Sequence, residues 1–131
     1  MKLKNKILIT TGLGLSALLA SCSTAEIDSI RQGYSLSNTA QTYPAVDAKK
    51  VVLVYKNAPN ADKLIPCQKY DTISMVSVLP YNTAGISKSD GTIAKAFKDG
   101  GASVGADAVI NIINSSGLGS NAEGYAIKCN K

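Results

Sequence analysis

The feature that most restricts how this chain can fold is its first 22 residues. Lys2, Lys4 and Lys6 precede an apolar run, ILITTGLGLSALLA, from Ile7 to Ala20, and Ser21 and Cys22 follow it. A basic start, an apolar centre and small residues before a cysteine form the pattern of an export leader. The run has 14 residues, interrupted by Thr10, Thr11 and Ser16. A membrane-spanning helix needs about 20 apolar residues, so a retained transmembrane anchor is the weaker reading. If residues 1–21 are a leader, the folding problem shrinks from 131 residues to about 110, room for one small domain.

The tetrapeptide Leu19-Ala20-Ser21-Cys22 resembles the bacterial lipobox: a branched apolar residue, two small residues and an obligatory cysteine. The resemblance implies that a diacylglyceryl group is attached to the Cys22 thiol, that the leader is cut before it, and that the new amino terminus is acylated. Buried acyl chains, at about 0.8 kcal/mol per methylene, then hold the protein to the membrane without a spanning helix. Processing also changes the charge. Of 14 Lys plus Arg residues, 11 remain against 9 Asp plus Glu, and the net charge falls from +5 to +2. A nucleic-acid partner loses its electrostatic support.

Hydrophobic residues make up 45% of the chain and charged ones 18%, as in a folded protein. Residues 22–48 read as a lipidated terminus and flexible tether, because Ser, Thr, Ala, Gln and Asn dominate without a period of 2 or 3.6. Residues 49–131 read as a small α+β domain. KKVVLVYK predicts a first strand and KYDTISMVSVLP a second, whose two faces are not cleanly separated. TIAKAFKDGGASVGADA predicts a helix with Asp90 at its N-cap and Gly105 as its stop. At Gly100 and Gly101 that helix either bends or lies close against a neighbour. AVINIIN and EGYAIKC complete the pattern β-β-α-β-β, with SSGLGSN as the hairpin loop between them. The expected architecture is one helix packed on a mostly antiparallel four-stranded sheet.

The chain has no histidine. Imidazole base catalysis is excluded, and a zinc site would need cysteine and carboxylate alone. With Cys22 taken by lipid, Cys67 and Cys129 remain, and an exported protein commonly joins such a pair. They can meet only if the start of the second strand and the end of the fourth are neighbours. No CxxC is present, so a structural bridge is preferred to a redox-active one. Gly100, Gly101 and Gly105 follow a helix rather than open one, the wrong context for a phosphate loop. Asp90, Asp99, Asp107 and Glu123 are scattered singly, as caps and solvated surface would be, and no SxxK or nucleophile elbow occurs. Tyr55, Tyr70, Tyr81 and Tyr125 form either a recognition surface or ordinary sheet packing. Lys49, Lys50, Lys56, Lys63 and Lys69 either meet anionic headgroups or an acidic partner, or are solvated protection of a sheet edge.

The lipobox, the polar tether, the strands VVLVYK and YDTISMVSV, a helix leading into GADAVIN and a last strand ending AIKC together resemble the RcsF-type envelope lipoproteins. The resemblance implies an outer-membrane anchor, contact with the β-barrel assembly machinery, and signalling of envelope damage to an inner-membrane partner. It also implies two disulfides from four cysteines. Here Cys129 matches the last family cysteine, while Ile113, Asn114 and Ser115 stand where another is expected. GADAVIN-like strands also resemble the YbjQ-type heavy-metal-binding domains, which implies the alternative of a ligand- or metal-binding, oligomeric lipoprotein. The preferred expectation is a non-enzymatic envelope protein, lipid-anchored in the outer membrane, with no cofactor beyond the covalent diacylglyceryl and N-acyl groups on Cys22. Its expected partners are the membrane and an envelope protein, such as a β-barrel outer-membrane protein, with a role in stress sensing or envelope integrity.

Overall fold

A computed structural model of the chain describes residues 32–82, 85–114 and 121–130. Cys22 and the loop glycines Gly117 and Gly119 lie outside them. Among the described residues five strands form one sheet: β1 (Ser35–Ser37), β2 (Val52–Tyr55), β3 (Tyr70–Val78), β4 (Ala108–Ile113) and β5 (Ala122–Cys129). Two helices accompany them, the single turn α1 (Ala61–Leu64) and the longer α2 (Asp90–Ser103).

The sheet order is β1-β3-β5-β4-β2. β3, β5 and β4 pair antiparallel, β1 adds antiparallel to β3, and β2 adds parallel to β4. The expected four-stranded sheet with one helix is thus corrected to a five-stranded mixed sheet with two. The reason is directional. β2, β3 and β4 all run the same way, so each link between them must cross a face of the sheet, and a parallel crossover needs a dozen or more residues. The β2–β3 link crosses one face, here the back, and carries α1, while the β3–β4 link crosses the front and carries α2.

The stretch from residue 34 to 48, expected as part of a flexible tether, is instead bound to the domain. Ser35, Leu36 and Ser37 pair with Ser77, Val76 and Met75. Tyr34 is buried in the main core. The Ala40 N–H donates to Ile73 O (2.9 Å), Tyr43 N–H to Val104 O (2.9 Å) and Val46 N–H to Ala102 O (3.1 Å). The segment has no periodic pattern because it follows the C-terminal end of α2 rather than forming a long strand of its own.

α2 packs on the front face through Ile93, Ala96 and Phe97, with Phe97 wholly buried. Its N-cap is Ser89 rather than the expected Asp90: Ser89 has extended backbone, and its Oγ accepts the Thr92 N–H at 3.2 Å. Asp90 is the first helical residue and places its carboxylate at the positive end of the helix dipole. The choice left open at the glycine pair is resolved as close approach. A Cβ on Gly100 would lie 2.7 Å from Val76 Cγ1, and one on Gly101 2.8 Å from Val109 Cγ2. The expected stop at Gly105 is present. Gly105 has φ +77°, its N–H donates to Ala102 O (3.0 Å), and the Ala106 N–H donates to Gly101 O (2.9 Å). These two bonds close a Schellman motif.

Two bulges set which side chains face the helix. In β3 the register slips between Thr72 and Ser74, so Ile73 and Ser74 are both buried. In β4 it slips between Ile110 and Ile113, where Asn111 takes φ +53°. Val109 and Ile112 thereby join the front core, and Ile110 joins the back cluster. A strict two-residue alternation would have separated Val109 from Ile112.

Candidate partner-binding surface

The two faces of the sheet are covered unequally. On the front, α2 and residues 34–48 seal a continuous core. On the back, Ala61, Ile65 and Tyr70 are the partly buried apolar residues, among the described ones, that pack against a small cluster of Val54, Ala108, Ile110 and Ile127. The rest of the back is partly covered: Ser77, opposite Glu123, is buried, and other side chains are exposed. Tyr125 is 43% exposed and Ile113 47%. Met75 lies opposite Tyr125 in the ladder, and Glu123 opposite Ile113. The alternation in β5 explains this placement: Ala122, Gly124 and Ala126 turn to the front and are buried, leaving Glu123 and Tyr125 on the solvent side.

The four tyrosines singled out from the sequence therefore do not share one surface. Tyr125 stands alone among them on the open back. Tyr70 belongs to the back cluster, where it pairs with Cys129. Tyr55 closes β2 and packs against the main core. Tyr81 bridges to Ser87 and lines a shallow cavity of about 220 Å³ with Lys88, Asp90 and Asn114. Tyr55 and Tyr81 both lie toward the start of α2. Burial first, and then the Asp90 carboxylate, push the Tyr55 phenol above its ordinary pKa.

The expected pairing of Cys67 with Cys129 is present, with the two Cα atoms 5.9 Å apart. The strands bring it about: Tyr70 opens β3 directly opposite Cys129 at the end of β5. The Asp107 Oδ2 accepts the Cys129 N–H at 2.7 Å, and the Asn130 N–H donates to Lys69 O at 2.9 Å. Lys128 Nζ reaches Gly105 O (3.1 Å) and sits 5.1 Å from the centre of the Tyr43 ring. This corner thus joins the end of β5 to the wrapped segment and to the end of α2. Beside it, Asp62, Ile65, Cys67 and Tyr70 line a cavity of about 570 Å³.

Among the described residues the donors do not form a metal site. Cys67 and Cys129 are joined to each other, so neither offers a thiolate. Among the described residues no group of three or more Cys, Asp or Glu side chains could hold one. Also among the described residues, no helix is long and apolar enough to cross a membrane.

The lysines have a clearer arrangement than the tyrosines. Lys49 and Lys50 stand at the entry to β2, Lys56 at its exit and Lys63 on α1, all exposed. Among the described residues β2 is an edge strand, so Lys49, Lys50 and Lys56 flank an edge. Sequence reasoning did not find Ile113 or Val52 as exposed apolar residues. A usable signal was Asn111, a residue rare in strands standing inside an otherwise apolar run. The chain matches no known protein family, no curated protein and no solved structure.

Proposed function

We propose that this protein is a non-enzymatic, lipid-anchored component of the bacterial envelope that acts by binding another protein. Acyl chains on Cys22 hold it in the outer membrane, and its role is in stress sensing or envelope integrity, as its resemblance to the RcsF-type lipoproteins implies. The observation that carries this reading is the N-terminal sequence: three lysines, a short apolar run and Leu19-Ala20-Ser21-Cys22. The Cys67–Cys129 bridge supports it, because such bonds persist in oxidising compartments outside the cytosol. The open back face around Tyr125 and Ile113 supports a role in binding, since exposed apolar side chains next to a polar residue such as Glu123 suit a protein contact.

Mass spectrometry of the protein purified from envelopes tests the anchor. The mature chain is expected to begin at an acylated Cys22, and Cys22→Ser is expected to leave an unprocessed, unacylated precursor. A native chain retaining residues 1–21 would overturn the reading. Photo-crosslinking in intact envelopes from position 125 tests the binding role. One defined protein adduct is expected. Absence of any adduct, together with a specific small ligand that co-purifies, would favour the ligand-binding alternative.

A further inference from the structure

We infer that the free edge of β2 is a docking site for an extended, acidic segment of a partner protein, which adds to the sheet as a sixth strand. The inference rests on the reading of this protein as one that binds another protein, and it names the chemistry of the partner.

The edge is built for strand addition. The Val52 N–H donates to Asp107 O (3.2 Å) and the Lys56 N–H to Ile112 O (3.0 Å). Residues 52, 54 and 56 therefore turn their amides toward β4, and Leu53 and Tyr55 turn theirs the other way. Among the described residues β2 is the last strand on its side of the sheet, and none of them pairs with the Leu53 or Tyr55 amide. Between the flanking lysines the strand reads Val-Val-Leu-Val-Tyr, with no charge and no proline in it to block a ladder. β1, on the opposite edge, is only three residues long, and its continuation is bound to the domain through Ala40, Tyr43 and Val46.

Charge selects the occupant. Lys49 and Lys50 precede the edge strand, Lys56 follows it and Lys63 stands on α1, against Asp47, Asp62 and, acting on Tyr55, Asp90. A second copy is disfavoured: antiparallel self-pairing about Leu53 places Lys50 opposite Lys56, a like-charge pair on the ladder. An acidic segment meets the same two lysines favourably at both ends. Backbone hydrogen bonds would supply affinity and the lysines would supply the choice of partner.

Three probes test this on the isotopically labelled full chain, followed by amide hydrogen exchange. The first is the peptide Asp-Asp-Val-Thr-Val-Thr-Asp-Asp, the second has lysine in place of every aspartate, and the third is the acidic peptide N-methylated at alternate backbone amides. With the acidic peptide, exchange at Leu53 and Tyr55 is expected to slow by about tenfold or more. N-methylation is expected to abolish the effect. The Lys50→Glu/Lys56→Glu variant is expected to reverse the preference, favouring the lysine peptide. Because both substitutions are exposed, unchanged exchange in α2 shows that the variant remains folded. The inference is overturned if the acidic peptide leaves Leu53 and Tyr55 unchanged, or if both peptides protect them equally. It is also overturned if these amides are already protected in the protein alone, which would mean that another part of this chain, such as residues 23–31, occupies the edge. A defined adduct from position 125 with no protection at β2 would overturn the edge and leave the binding role standing.

Discussion

The front and back of this sheet bury apolar residues by different means. The front is closed by 14 residues of helix that approach the strands at a glycine pair, with Phe97 wholly buried beneath. The back is covered by one helical turn and a loop that the Cys67–Cys129 bridge ties to the last strand. The front is held by packing and by ladders of backbone bonds. In the back cover, from Pro59 to Gln68, the Lys63 N–H donates to Asn60 O at 2.9 Å, a bond within the cover that does not tie it to the sheet. A covalent tie matters most where packing is thinnest, since it limits how far the cover can open.

The largest effect should come from breaking the front. Phe97→Ala is expected to lower unfolding stability by about 3–5 kcal/mol, read from the midpoint of a urea transition, and a loss under 1 kcal/mol would mean that the core does not depend on this ring. Replacing both cysteines by serine removes a closure spanning 62 residues, worth roughly 4 kcal/mol in the chain-entropy model. Hydrogen exchange should then accelerate more in residues 59–68 than in α2, which separates the two covers directly. Equal acceleration would show that they open as one unit.

Gly101→Ala probes how tightly the helix sits. Crowding against Val109 and Val51 should cost about 1–3 kcal/mol, and the better helix propensity of alanine should return about 1 kcal/mol. A net loss on the order of 1 kcal/mol is expected, and a gain would show that the strands yield. Tyr125→Ser, on the open back, should change stability by no more than about 0.5 kcal/mol while reducing the envelope adduct formed from a probe at position 113. The effect of Tyr55 changes with pH only in alkaline solution. Its phenol has a raised pKa in the folded chain, so the folded state holds that proton more tightly than the unfolded one. Its contribution is complete below the unfolded pKa near 10 and is lost as pH rises through the folded value. Tyr55→Phe should therefore flatten the fall in stability above pH 10, and an unchanged alkaline limb would remove Tyr55 as its source.

Local chemistry was legible and long-range placement was not. The strands at VVLVY, YDTISMVSV, AVINII and EGYAIKC, the helix through Ile93 and Phe97, and the stop at Gly105 follow from patterns a few residues long, and each is present. The Cys67–Cys129 pair followed from the number of cysteines and the expected compartment. Segment 34–48 reads as a tether in sequence because its burial depends on partners far away in the chain: Tyr34 meets Gly100, and Tyr43 meets Val104. Residue type alone does not say which face each tyrosine occupies.

The sequence by itself determined which stretches become strand or helix and where the helix stops, because these depend on side-chain period, backbone freedom and short motifs. Only the tertiary structure decided that β2 lies at an edge, parallel to β4 and ringed by lysines, and that the bulge at Asn111 divides Val109 and Ile112 from Ile110. Strand order and bulges are set by which faces can be covered at once, and that depends on every crossover together rather than on any single segment.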